Sequence, residues 1–292
     1  MSNVLVVGAS GFLGSHIADI LTEQGHAVTL YDRTPSPWRQ PGQEEVVADV
    51  LDREALSAAM AGKDVVYHLA GIADIEESSA KPQETIRINV LGSSNIFETC
   101  VAQHVKRVMF ASTVYVYSDK GSFYRVSKQA VECMLEEYSR AFGLCYTTLR
   151  YGSLYGPRSQ PWNGLHRYVH DALKTGRIVY HGTGAERREY IHVRDAAALS
   201  VKAMDAAYAN KSLMLTGTQV LTSSELMAFI REVLGNNVEV VIDSNNLSSH
   251  HYTLTPFKYV PKTALKVVSE HFIDIGQGII ELVNDLANHS EV

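Results

Sequence analysis

A doubly wound parallel α/β sheet with a smaller C-terminal α/β lobe is the fold this sequence predicts. Three observations predict it. Short apolar runs alternate with longer segments of helical spacing through the first half. A glycine-rich turn joins the first run to the first helical segment. Past Arg150 the alternation loosens, and Pro157, Pro161, Gly164, Gly176, Gly182 and Gly184 punctuate the chain. Strands covered by helices on both faces read as continuous apolar runs, and joining them in parallel requires a crossover, usually a helix.

The strand-length runs are Val4–Val7, Ala27–Tyr31, Val65–His68, Arg107–Ala111 and Cys145–Arg150, with a weaker one at Glu45–Val47. Helical spacing fills the intervals: Phe12–Gln24, where Ile17, Ile20 and Leu21 share a face, then Arg53–Ala61, Thr85–His104 and Tyr124–Phe142. In the second half helices are expected near Leu165–Thr175, Arg194–Tyr208, Ser223–Leu234 and Gly276–Leu286. The stretch Asn237–Tyr259 is rich in Ser, Asn and His and predicts no element. There is no internal repeat. With 292 residues, two lobes are expected.

Composition narrows the class. Hydrophobic residues make up 46% and charged residues 20%, enough apolar surface for a folded core. The formal charge of -6 is not gathered in a block and no basic stripe exists, which argues against nucleic acid or an anionic membrane as partner. The apolar opening Val4–Val7 is cut by Gly8, so neither a bilayer span nor a secretory signal is expected. Cys100, Cys133 and Cys145 are odd in number, widely spaced and lack CxxC spacing; they predict reduced thiols in a cytoplasmic protein, with no metal site.

Gly8-Ala9-Ser10-Gly11-Phe12-Leu13-Gly14 follows the first strand and opens the first helix, the context in which a glycine turn binds a dinucleotide. The glycines permit a tight turn and close approach, so a pyrophosphate can sit on the free amides at the positive helix end. Asp32 closes the second strand 18 positions beyond Gly14, where a carboxylate accepts the ribose hydroxyls. It favours NAD over NADP, whose 2′-phosphate it repels; the neighbouring Arg33 keeps NADP as the alternative. Tyr124 and Lys128 stand four positions apart at a helix start and so share a face. A cation beside a phenol of ordinary pKa near 10 favours phenolate and makes a base usable near neutrality.

These motifs resemble the short-chain dehydrogenase/reductase superfamily, first through the Gly-x-x-Gly-x-x-Gly spacing. The resemblance implies a Rossmann domain over residues 1–150, with a return segment near 185–210, and a mainly substrate-binding lobe over 151–292. It implies that Asp49 and Val50 bracket the adenine, that Leu69, Ala70 and Gly71 after His68 run under the cofactor, and that Asn89 stabilises the central sheet. Thr113 takes the place of the catalytic hydroxyl when Val116-Tyr117 is matched to the usual Val-Tyr-Gly, with Ser112 and Tyr151 nearer the nicotinamide. Tyr115 and Tyr117 compete with Tyr124 for the phenol's role.

Three further stretches resemble the extended branch, the NAD-dependent epimerase/dehydratase family: Leu149 to Arg158, Gly182 to Asp195, and Ser223 to Leu226. The family's phosphate-pairing arginine falls on Arg188, suited by its planar fork of donors. Ser153 stands where the family has a substrate asparagine, Asn163 matches a second one loosely, and Arg158 is a further phosphate contact. Only eleven positions separate Thr113 from Tyr124, fewer than is usual in members acting on nucleotide sugars. Dehydratases and decarboxylases of the family carry carboxylates just after the catalytic hydroxyl; Val114 and Tyr115 stand there, which disfavours both reactions. No cysteine lies where epimerase-reductases use one.

The expectation is therefore an NAD-dependent nucleotide-sugar 4-epimerase passing through a transient ketone. A dehydrogenase or reductase of a free sugar, uronate or other small alcohol is the alternative, and a non-catalytic NAD-sensing protein a third. The resemblance also implies a homodimer joined through Thr85–His104 and Tyr124–Phe142. Val131, Met134, Leu135 and Tyr138 form an apolar stripe that serves either a partner or the sheet.

Overall fold

The computed structural model describes residues 1–245, 251, 253 and 264–288. The apolar runs become strands β1 (Asn3–Val7), β2 (Ala27–Asp32), β3 (Glu44–Val47), β4 (Val65–His68), β5 (Arg107–Thr113) and β6 (Tyr146–Tyr151). Helix α1 (Phe12–Glu23) follows β1, and α2 (Arg53–Met60) follows β3. Short helices α3 (Ile75–Ala80) and α4 (Pro82–Ile86) precede α5 (Gly92–Ala102), and α6 (Ser122–Phe142) runs between β5 and β6. The single helix expected over Thr85–His104 is thus divided: a π-helical turn, Arg87–Leu91, separates α4 from α5.

The second half supplies β7 (Ser153–Tyr155), α7 (Gly164–Thr175), β8 (Arg177–His181), β9 (Arg187–His192) and α8 (Val193–Lys202). It continues with β10 (Lys211–Leu215), β11 (Val220–Thr222), α9 (Ser223–Val233), β12 (Glu239–Asp243), β13 (Ala264–Lys266) and α10 (Ile275–Asn288). Much of the stretch 237–259 that predicted no element lies outside the described residues; its start forms β12.

Eight strands form one parallel sheet in the order β13-β10-β6-β5-β4-β1-β2-β3. One face carries α1 and α8 over Val4, Val6, Tyr67, Met109 and Leu149; the other carries α2, α5 and α6 over Leu5, Val7, Val66, Val108 and Phe110. The chain therefore returns to the sheet beyond residue 210, through β10 and β13. The smaller lobe holds a three-stranded sheet, β11-β9-β7, and a pair, β12-β8. Its core joins Leu165 and Val169 of α7, Leu226 and Ile230 of α9, and Ile279 and Leu282 of α10.

Strand order reverses at β1, which lies between β2 and β4. In open sheets of this kind the crevice beyond the carboxyl ends of such strands receives ligand. The loops leaving β1, β4 and β5 all open there.

Candidate active site

The glycine turn is shaped for close approach. Gly8 has φ +91°, and a Cβ there would meet Ala70 N at 2.6 Å; a Cβ on Gly14 would overlap the Gly8 carbonyl oxygen. Both positions therefore exclude side chains on packing grounds, and α1 is drawn tightly against β1 and β4. Gly11 is the N-cap of α1 and no side chain caps it, so the first amides, from Phe12 onward, are left for an anion. Ser10 fixes the turn, its amide donating to Asp32 Oδ2 at 2.9 Å and its hydroxyl to the Thr34 carbonyl at 2.7 Å. That places the Asp32 carboxylate beside the helix start, with Arg33 exposed next to it.

Around the adenine side, Val50 is buried and its side chain fills the space a Cβ on Gly92 would take, while Asn95 Nδ2 donates to the Val50 carbonyl at 3.3 Å. Asp49 is exposed, with Oδ1 accepting from the Leu51 amide. The amides of Leu69 and Ala70 donate to Val7 O, extending the pairing of β4 with β1 to the crevice. A cradle that admits no Cβ, an uncapped helix start and a carboxylate at the end of β2 together fit NAD.

Asn89 lies in the π-helical turn and ties this floor to α6. Its Oδ1 accepts from the Ile72 amide at 2.7 Å, and its Nδ2 donates to Ile72 O and to Ser127 Oγ, both at 2.9 Å. Ser127 in turn donates to the Tyr124 carbonyl at 2.8 Å. A Cβ on Gly71 would collide with Asn89 Oδ1, so glycine there admits the bridge.

Tyr124 stands in the first turn of α6, half-buried, with its amide donating to Ser78 Oγ of α3. One turn on, Lys128 is buried; its Nζ donates to the Ala111 carbonyl of β5 at 2.8 Å and lies 5.9 Å from the Tyr124 ring centre and 4.9 Å from that of Phe110. Burial pulls its pKa down to about 8, against the opposing attraction of Glu132. Thr113 ends β5 and caps the 3-10 turn Val114–Tyr117, its Oγ1 accepting from the Tyr115 amide at 3.2 Å. His68 serves the core: its Nε2 pairs with Ser93 Oγ at 2.7 Å and burial pushes its pKa down to about 3.

Four expected ligand contacts are engaged elsewhere. β5 turns Ser112 with Phe110 toward α6, and its hydroxyl donates to Glu132 Oε1 at 2.5 Å. The Tyr151 phenol points into the core and pairs with Ser200 Oγ of α8 at 2.6 Å. Arg158 forms an ion pair with Asp19 of α1 at 2.8 Å and covers the Trp38 ring at 4.7 Å. Asn163 caps α7, accepting from the amides of Leu165 and His166 while its Nδ2 donates to Leu154 O. Ser153 lies on β7, half-buried and in register with Tyr190.

Arg188 is half-buried on β9 beside Tyr180. The carboxylates flanking it in sequence have other partners. Glu186 accepts from the Thr183 amide and hydroxyl, the Gly184 amide and the Tyr180 phenol; burial opposes its charge, but these hydrogen bonds hold its pKa down to about 2. Glu189 pairs with Lys266 at 3.3 Å.

Two side-chain pairings, Tyr115 with His251 and Glu132 with Arg150, are absent from the sequence reading. Tyr115 occupies the room left by Gly121, meets the Tyr124 ring edge-on at 6.4 Å and hydrogen-bonds His251 Nδ1 at 2.7 Å. Beneath it, Glu132 and Arg150 form a buried ion pair. The spacing Tyr124, Lys128, Glu132 was the available signal for the second; none announces His251, 136 positions from its partner.

Among known proteins, a UDP-N-acetyl-alpha-D-glucosaminuronate decarboxylase of Bacillus cytotoxicus is 26% identical over 96% of each chain. A UDP-glucuronate 4-epimerase of Thermodesulfobacterium geofontis is 25% identical over 68% of this chain and 70% of its own. In fold, the chain is similar to the UDP-glucose 4-epimerase of Thermotoga maritima solved with UDP-glucose, at TM-score 0.86 and 23% identity over 98% of this chain and 99% of that one. The profile of the NAD dependent epimerase/dehydratase family matches residues 4–214. With the glycine cradle, the tyrosine and lysine of α6 and the eight-stranded parallel sheet in place, this chain belongs to the NAD dependent epimerase/dehydratase family.

Proposed function

We propose that this enzyme inverts C4 of a UDP-sugar. The observation that carries the reading is the pairing of Tyr124 and Lys128 on α6, tied to the end of β5 where Thr113 stands, with no carboxylate in the turn Val114–Tyr117. Such a site can move a proton on and off a hydroxyl but offers no acid at the positions where family members expel water or carbon dioxide. Bound NAD supplies the acceptor and donor of hydride. The Tyr124 phenolate takes the C4 hydroxyl proton as the C4 hydride leaves, and the same phenol returns the proton once the ketone has presented its other face. The Lys128 ammonium favours the phenolate and Thr113 orients the hydroxyl. Arg188 on β9, at the family's phosphate-pairing position, is the anchor for the diphosphate.

Incubation with UDP-glucose, UDP-glucuronate and UDP-N-acetylglucosamine, read by proton NMR for the C4 configuration and by NADH absorbance, tests this. Inversion without net NADH is expected; substrates left unchanged with NAD bound defeat the proposal. Stoichiometric NADH when free sugars, uronates or other small alcohols are supplied with NAD instead identifies the second reading, a net dehydrogenase of a smaller alcohol. That reading draws on Tyr115, in the short segment after Thr113, whose ring meets that of Tyr124 edge-on and whose hydroxyl pairs with His251.

For a homodimer, the supporting feature is an apolar groove lined by Ile86, Val90, Leu91, Phe123 and Met134 along α4, the π-helical turn, α5 and α6, with Ile86, Leu91 and Phe123 exposed. Val131 and Leu135 of the stripe pack on the sheet instead. Among the described residues no helix is long and apolar enough to cross a membrane. The three cysteines are free thiols, which supports a cytoplasmic setting.

A further inference from the structure

The residues below the catalytic pair form one buried, charged assembly. Glu132 is 4% exposed and the Arg150 side chain 0%. Arg150 Nε donates to Glu132 Oε1 at 3.0 Å and Nη2 to Oε2 at 2.6 Å, a two-pronged pairing, while Ser112 donates to Oε1 at 2.5 Å. Arg150 also donates from Nη1 to the Tyr117 hydroxyl and lies 4.9 Å from that ring's centre.

Each partner belongs to a different piece of the active site. Ser112 precedes Thr113 on β5. Tyr117 ends the turn that Thr113 caps. Glu132 stands one helical turn beyond Lys128, and Arg150 lies on β6 opposite Ser112. Burying two ions is expensive, and a pair of hydrophobic residues often serves stability as well or better. A charged pair at this point therefore calls for a use other than holding the fold together.

We propose that Glu132 is a positioning residue of the active site: its carboxylate keeps the buried Lys128 ammonium charged, and Arg150 and Ser112 hold that carboxylate in register with Thr113. The surroundings of Lys128 favour this assignment. The ammonium faces Tyr124 and Glu132 from its own helix, the neutral His68 from β4, the Ala111 carbonyl and the Phe110 ring from β5, and Tyr117 and Arg150 from beyond the carboxylate. Glu132 is the one anion in this set. Burial and a single carboxylate thus act in opposite directions on Lys128.

The proposal rests on the Tyr124/Lys128 reading of catalysis, yet it is measurable without turnover. The midpoint of Lys128 is read by NMR in protein carrying 13Cε-labelled lysine, its resonance identified by its loss in Lys128→Met. In Glu132→Gln the midpoint is expected to fall by about one pH unit, from the removal of one nearby charge at partial screening. Glu132→Gln/Arg150→Met, which leaves no buried guanidinium unpaired, is expected to fold and to show a drop of about half a unit or more. In active enzyme the alkaline limb of the kcat profile should move down with it, while KM changes little. A midpoint unmoved or raised in the folded variants overturns the proposal. A midpoint that falls in protein inactive on every UDP-sugar tested leaves this role of Glu132 intact and refutes the epimerase reading alone.

Discussion

Lys128→Met should make the protein more stable while abolishing its chemistry. The drop of the Lys128 pKa from 10.5 to about 8, caused chiefly by burial, corresponds to about 3 kcal/mol of preference for the neutral amine in the folded state. The sign follows from proton counts. Between pH 8 and 10.5 the unfolded chain keeps its proton and the folded one has released it, so stability rises with pH across that window; below pH 8 both forms are protonated and the full penalty applies. Methionine removes the penalty but also the hydrogen bond to the Ala111 carbonyl, worth about 1 kcal/mol. The expected net gain is about 2 kcal/mol at pH 7. Urea unfolding of wild type and variant at pH 7, 8, 9 and 10 checks it. The variant should lead at pH 7, and its lead should shrink, then reverse, as pH approaches 10.5. A variant less stable at pH 7, or a difference that does not change with pH, would refute the burial penalty assigned to this ammonium.

Gly14→Ala should weaken NAD binding by at least about 100-fold, because the new methyl cannot share space with the Gly8 carbonyl and α1 must move off the turn; calorimetry reads it. Asn89→Ala unties Ile72 from Ser127 and should lower stability by about 2 kcal/mol in urea unfolding, with kcat falling more than NAD affinity. Arg188→Met should raise KM for UDP-sugars about 10- to 100-fold while leaving NAD affinity unchanged, which initial rates and calorimetry together resolve. Leu91→Glu/Phe123→Glu should yield monomers in sedimentation velocity if the groove along α4 to α6 is the dimer face.

The Rossmann half was legible because its signals are local. Four apolar residues ending at Gly8, with helical spacing after Gly11, leave little choice of structure, and Tyr124 and Lys128 share a face for reasons of helix geometry alone. Asp32 could be placed because strand length fixes where β2 ends. What was not legible belongs to contacts across the fold. Nothing near Tyr151 in sequence names Ser200, and nothing near Arg158 names Asp19 or Trp38, so the protein partners of these residues could not be read from the motif. The direction of Ser112 was within reach: with Phe110 directed at α6, strand alternation sends Ser112 to the same side. The division of Thr85–His104 left no mark on the apolar spacing, since a π-helical turn inserts its residue within a continuing helical run, and Gly92 at its end keeps helical dihedrals. β10 and β13 were missed because Lys211–Leu215 and Ala264–Lys266 are short and lack the clear boundaries of the first strands.

The fate of the C4 hydrogen tests the central claim most directly. With a UDP-sugar deuterated at C4 in ordinary water, the inverted product should keep its deuterium, because hydride departs and returns within one closed site. Loss of deuterium to solvent, or inversion that persists in Tyr124→Phe, would contradict it.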